Sequence, residues 1–233
     1  MPGWIEFDDN RPPMVWERNH LGGIQKLACS EGGSVMRSMR LAFVALPLVL
    51  AAAAAAAAEK PVPVKMQPAL LVIDIQGAYL PEMDQQDVKR GMEGINYIID
   101  LFRQNGFPVI RVYHAEPGGG PEPGTEAFEF PKTVHIQDTD PKVVKNYGSA
   151  FKKTDLDKLL RERGVNTVFL VGLSAVGCVL ATYHGALDLD YRTFMVEEAL
   201  ISHDATLTRH VEEISRTIRY SALRLLLETA RAQ

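Results

Sequence analysis

Three side chains far apart in the chain have the types that nucleophilic acyl chemistry needs: Asp74, Lys145 and Cys178. A thiol supplies the nucleophile, a carboxylate can take its proton, and a nearby ammonium favours negative charge in the site. Asp74 closes the apolar run Ala69-Leu-Leu-Val-Ile, Lys145 closes Val143-Val144, and Cys178 follows the loop that leaves Thr167-Val-Phe-Leu-Val-Gly172. In parallel α/β sheets, ligands gather beyond the carboxyl ends of the strands, so all three residues are expected on one rim. Cys178 also falls in the first turn of an expected helix. Unpaired backbone N–H groups and the positive helix end there would stabilise a thiolate and lower the thiol pKa. Each residue alone has a plainer reading: a turn aspartate, a solvated lysine, a small buried hydrophobe. The common rim is what makes them a chemical set.

The elements that must position them alternate in type. Residues 69–74 form a short continuous apolar run, as expected for a strand buried on both faces. Residues 87–104 carry apolar side chains at helical spacing (Val88, Met92, Ile95, Ile98, Ile99, Phe102), and Asn105-Gly106 stops them. Residues 108–113 are expected as the second strand and 143–144 as a very short third. Thr154 should cap a helix running to Arg163 and closed by Gly164. A strand over 167–172, a helix over 177–189, a strand over 192–196 and helical segments from about 205 complete the pattern. Such alternation implies right-handed crossovers and a mostly parallel sheet covered on both faces, an α/β fold. Between 117 and 141 the chain shows no period, and a connection that long is usually functional. Its Gly118-Gly119-Gly120 run lacks the Lys-Ser/Thr and the helix of a phosphate loop, so a lid or a subunit contact is expected there.

Composition narrows the class. The chain has 233 residues, 46% hydrophobic, with 25 basic and 29 acidic side chains and a net charge of −4. The apolar content excludes a disordered chain, and a mildly acidic balance gives no broad footing for nucleic acid. Residues 36–58 pair Arg37 and Arg40 with an apolar stretch and an alanine run ending at Ala58, the pattern of a signal peptide. Residues 41–58 are also just long enough for an uncleaved membrane anchor, but Pro47 and the alanine-heavy end make a weak span. We expect cleavage after Ala58, a periplasmic or secreted product spanning 59–233, and no membrane association thereafter. Residues 1–35 are expected to be a disordered or over-extended start. Five basic and five acidic residues lie within 1–58, so the product keeps its charge of −4. Cys29 leaves with that segment, and Cys178 becomes a lone thiol, either inert or reactive.

Taken together, the runs Leu70-Leu-Val-Ile-Asp74-Ile-Gln76, Val144-Lys145-Asn-Tyr-Gly-Ser149-Ala150-Phe151 and Val171-Gly172-Leu-Ser-Ala-Val-Gly-Cys178-Val179, with Thr182, resemble the isochorismatase-like cysteine hydrolase superfamily. The resemblance spans about 68–225. It implies a three-layer α/β/α, Rossmann-like fold and a catalytic triad of Asp74, Lys145 and Cys178. It further implies an oxyanion hole from the backbone N–H groups of Ser174 and Cys178, with a cis peptide preceding Ser174, and a homo-oligomeric assembly. Two departures stand out: Ala175-Val176 replaces a common Thr-Asp beside the nucleophile, and Tyr113-His114-Ala115-Glu116 lacks the Asp-x-His pair of metal-binding nicotinamidases. The implied activity is hydrolysis of the C–N bond of a small amide, ureido or carbamoyl compound through a thioester. No metal and no cofactor are expected.

Substrate contacts are expected from Gln76, Tyr79, His114, Tyr147 and Phe151, His114 because it ends the second strand on the same rim. His135, His184, His203 and His210 read as structural or surface residues. Two other functions fit the same pattern: a thiol-based redox sensor using Cys178 alone, and a non-catalytic binding protein.

Overall fold

The computed structural model describes residues 65–116 and 118–232. The expected N-terminal extension, signal peptide and cleavage point lie outside the described residues. Six strands form one parallel sheet: β1 (Pro68–Ile73), β2 (Val109–His114), β3 (Lys142–Lys145), β4 (Thr167–Leu173), β5 (Arg192–Ile201) and β6 (Thr217–Ile218). Their order across the sheet is β3-β2-β1-β4-β5-β6, and every neighbouring pair is parallel. Among the described residues five α-helices accompany them: α1 (Gln85–Gln104), α2 (Leu156–Glu162), α3 (Leu180–Leu187), α4 (Ala205–Ile214) and α5 (Tyr220–Ala232). The expected parallel sheet covered on both faces, three layers in all, is present.

Two separate cores explain the layering. Along β1, Leu70 and Val72 face one way, into a core with Ile95, Ile98 and Phe102 of α1 and Leu227 of α5. Ala69, Leu71 and Ile73 face the other way, against Leu156, Leu160 of α2 and Tyr183 of α3. The period-2 alternation of a strand places successive side chains on opposite faces, and here both faces are dry. That is why β1 and β4 are buried at every position.

Local details depart from the sequence reading in instructive ways. Asp84 caps α1 by accepting from the Gln86 and Asp87 N–H groups, both at 2.9 Å, so the helix begins at Gln85, two residues before the expected start at 87. Asp155, not Thr154, occupies the cap position of α2, while the Thr154 hydroxyl accepts from the Leu156 N–H at 3.3 Å. β5 is twice its expected length because it bulges: Leu170 pairs with Met195 and Gly172 with Leu200, so β5 spends three extra residues there. Glu198 in the bulge has φ +67. The bulge also leaves space for α1, whose Gly94 lies so near the strand that a Cβ would sit 2.6 Å from the Glu198 carbonyl oxygen. The irregular 118–141 segment is anchored by Phe128 and Phe130, which stack on Tyr113 at 5.3 and 4.3 Å. No described helix is long and apolar enough to cross a membrane.

Candidate active site

β3 is an edge strand and β1 a central one, yet Lys145 and Asp74 meet. The register explains how. Lys145 pairs with His114 at the last position of β2, and Ile73, the last residue of β1, pairs with Val112 two residues earlier, so Asp74 leaves β1 close to the ends of β2 and β3. Asp74 then leaves the strand at φ +55, a left-handed conformation that is costly for a residue with a Cβ. Its N–H donates to the Val112 carbonyl (2.9 Å) and its own carbonyl accepts from the Gln76 N–H (2.7 Å), which hold the turn in place.

Lys145 Nζ donates to Asp74 Oδ2 at 2.7 Å and to His114 Nδ1 at 2.9 Å. Both members of the ion pair are buried, at 1% and 2% exposure. Since Lys145 is an ammonium, the His114 nitrogen that faces it must be the unprotonated acceptor. Asp74 Oδ1, the other carboxylate oxygen, is buried with no hydrogen-bond partner. That oxygen is free to take a proton. Donor atoms of Asp74, His114 and Cys178 all lie within 4.8 Å of one another, and the cation already among them is the Lys145 ammonium.

Cys178 sits after β4, on a tight turn that the sequence reading merged with the helix. Residues Ala175–Val179 form a single π-helical turn, and α3 proper begins at Leu180. The Ser174 carbonyl accepts from the N–H groups of Gly177 (2.9 Å) and Val179 (3.2 Å), skipping the Cys178 N–H between them. The kink at Gly177 (φ −113, ψ −107) produces this skip. The peptide bond between Leu173 and Ser174 is cis. Gly172, at φ +119, permits the approach of β4 to β1, since a Cβ there would land on the Ile73 carbonyl.

Electrostatics corrects one expectation. The helix start was expected to lower the Cys178 thiol pKa. Burial instead pushes it up to about 11, the Asp74 carboxylate adds to the rise, and Lys145 opposes it. A π-turn with a displaced nucleophile gives less dipole support than an ordinary helix end, and the nearest full charges belong to Asp74 and Lys145. Asp74 is likewise shifted up, by burial first, with Lys145 pulling the other way. The resting nucleophile is therefore a thiol, beside Asp74. His114 is shifted down, by burial and then by Lys145.

The expected substrate contacts divide. Tyr79 comes to the site: its ring lies edge-on to His114 at 6.3 Å and its buried hydroxyl has no partner. His114 comes as well, but bonded to Lys145. Gln76 does not remain available for substrate. Its amide is fully buried and spent on the backbone of His114, accepting from the N–H at 2.7 Å and donating to the carbonyl at 3.0 Å. Phe151 is turned elsewhere, stacked on Tyr191 at 5.7 Å beside Gly185; Tyr191 precedes β5 at the opposite end of the sheet. Tyr147 borders His114 through its backbone, while Lys152 lies 4.4 Å and Lys153 5.3 Å from its ring centre. Sequence reasoning missed the Lys145–His114 bond and the Gln76 clamp. The only available signal was that Gln76 and His114 each follow a strand end.

A parallel α/β/α sheet with a thiol, a carboxylate and an ammonium at its carboxyl rim defines a class of hydrolase scaffold. The isochorismatase domain model matches residues 68–219, and this chain belongs to the isochorismatase family of hydrolases. It is 31% identical over 153 residues to the uncharacterized isochorismatase family protein YddQ of Bacillus subtilis, covering 64% of this chain and 83% of that protein. It is 25% identical over 181 residues to the ureidoacrylate amidohydrolase RutB of Agrobacterium fabrum, covering 60% of this chain and 79% of that protein. Among solved structures it is similar to the N-carbamoylsarcosine amidase of Thermoplasma acidophilum, with a TM-score of 0.58, 27% identity and coverage of 66% and 96%.

Proposed function

We propose that this protein is a cysteine amidohydrolase that cleaves the C–N bond of a small amide, ureido or carbamoyl compound through a thioester. The observation that carries the reading is an Asp74 carboxylate oxygen within 4.8 Å of the Cys178 sulfur, with Oδ2 held by Lys145 and Oδ1 left without a partner. Two relatives named as an amidohydrolase and an amidase support the reaction class.

The chemistry follows from those contacts. As the carbonyl carbon approaches, the thiol proton passes to Asp74 Oδ1 and a sulfur–carbon bond forms. The carbonyl oxygen becomes an oxyanion held by the N–H groups of Ser174 and Cys178, each donor worth about 3 kcal/mol in comparable sites. Asp74 then returns the proton to the nitrogen, the C–N bond breaks, and ammonia or an amine departs. Water next attacks the thioester, giving a proton to Asp74. The sulfur–carbon bond breaks, the acid leaves, and the proton goes back to sulfur. A thiol whose pKa is about 11 is not deprotonated in advance; the transfer belongs to the attack itself. Lys145 fixes Asp74 and offsets the charge that appears.

Ammonia release from a panel of small amides, ureido acids and carbamoyl compounds, with wild type against Cys178→Ala, tests the assignment. Release by wild type alone is expected; equal release by Cys178→Ala overturns it. We also propose that the protein is exported and cleaved after Ala58, and N-terminal sequencing of the exported form checks that point.

A further inference from the structure

The buried ammonium of Lys145 is held on two sides, and only one of them belongs to the chemistry above. Asp74 takes one N–H at 2.7 Å; His114 Nδ1 takes another at 2.9 Å. His114 is itself fixed with unusual thoroughness. Gln76, fully buried, brackets its backbone N–H and carbonyl at 2.7 and 3.0 Å, as a neighbouring strand would. Parallel pairing with Lys145 fixes it from the other side, and Tyr79 lies edge-on to its ring. A buried side chain spent wholly on another residue's backbone is hard to explain unless that residue's position matters.

We propose that His114 is a positioning residue: as a neutral acceptor it anchors Lys145, which keeps the ammonium against Asp74 and beside Cys178. The clamp then runs from Gln76 through the His114 backbone and ring to Lys145, and from Lys145 to Asp74. The charged and titratable groups around the ring fit this role. Lys145 disfavours a second positive charge there; Asp74 and Glu116 favour one; Cys178 lies within 4.8 Å, and Tyr79 faces the ring. With Nδ1 accepting, the remaining proton belongs on Nε2, and the backbone of Tyr147 lies near the imidazole. Without an acceptor at this position, Lys145 has one N–H unsatisfied in a dry site and swings away from the thiol.

The inference rests on the hydrolase reading only for its effect on turnover. The thiol itself reports it without substrate. In the full chain, alkylation of Cys178 by iodoacetamide is followed against pH by peptide mapping, for wild type, His114→Leu and His114→Gln. Leucine removes the acceptor and glutamine restores one. His114→Leu is expected to move the thiol midpoint up and slow alkylation at pH 9 about three- to tenfold, while His114→Gln stays within about twofold of wild type. Equal profiles for all three, or equal slowing by leucine and glutamine in folded protein, overturn the proposal. Should His114→Leu fail to fold, the 15N resonances of wild-type His114 decide: an unprotonated Nδ1 at neutral pH supports the anchor, and a protonated Nδ1 refutes it. If wild type hydrolyses nothing in the panel, the hydrolase reading fails while these measurements still stand.

Discussion

Replacing Asp74 by Asn should make Cys178 more reactive toward alkylating agents and abolish hydrolysis. The two effects separate because Asp74 holds the thiol proton in the resting state and accepts it during attack. Its carboxylate lies within 4.8 Å of the sulfur. At that separation, an effective dielectric of 20 gives a repulsion of about 3 kcal/mol between carboxylate and thiolate, or roughly two pKa units. Neutralising Asp74 also releases the Lys145 charge, now paired at 2.7 Å, to act on the sulfur in the same direction. Burial remains, so the midpoint should fall from about 11 to near 9, not further. At pH 8 the thiolate fraction then rises about 100-fold. Each thiolate is less nucleophilic by up to about tenfold, since nucleophilicity falls as the pKa falls. The net expectation is iodoacetamide labelling about tenfold faster in Asp74→Asn, with ammonia release reduced by about 10²–10⁴. Labelling rates between pH 7 and 11, followed by mass spectrometry on the Cys178 peptide, provide the assay. An unchanged or raised midpoint in the folded variant would refute the reasoning, because the thiol would then not feel Asp74.

Further outcomes follow from the same geometry. Lys145→Met leaves the buried Asp74 carboxylate without its cation and should cost about 3–5 kcal/mol at neutral pH. Denaturant titration should show the deficit shrinking as the pH falls and Asp74 takes a proton, its folded pKa lying above the ordinary 3.8. Gly172→Ala drives a methyl group into the Ile73 carbonyl at a positive φ, and a loss of more than about 3 kcal/mol is expected from thermal unfolding. Gln76→Leu orphans the His114 N–H and carbonyl; a loss of about 2–4 kcal/mol, with a reduced rate, should appear in paired stability and ammonia assays. The pH profile of turnover should fall on the acid side as Asp74 protonates above 3.8 and on the alkaline side only toward the thiol value of about 11; an alkaline limb near 9 would contradict the raised thiol.

The fold was readable where pattern reflects burial. The run before Asp74 is continuous because both faces of β1 are covered, and the spacing of Ile95, Ile98, Ile99 and Phe102 is the face that α1 lays on the sheet. The bulge in β5 and the two-residue β6 were not readable, because both depend on how α1 and the chain after α4 fit against the sheet edge. The rim position of Asp74, Lys145 and Cys178 followed from the strand ends. The state of the thiol did not. A helix start suggests an easily ionised cysteine, but the actual balance is set by burial and by two charges contributed from other strands. Gln76 and Phe151 show the same limit of pattern. Each stands in a telling motif, yet one amide is consumed by a backbone and one ring by a tyrosine at the far end of the sheet.

The proposed hydrolysis requires a transient covalent bond to Cys178. Once a hydrolysed compound is found in the panel, turnover is stopped with acid within milliseconds and the protein is weighed intact and as peptides. The account predicts a transient adduct on the Cys178 peptide whose mass equals the acyl portion of the substrate without its nitrogen leaving group, absent from Asp74→Asn. Steady hydrolysis with the Cys178 peptide unmodified at every quench time, and undiminished in Cys178→Ala, would contradict it.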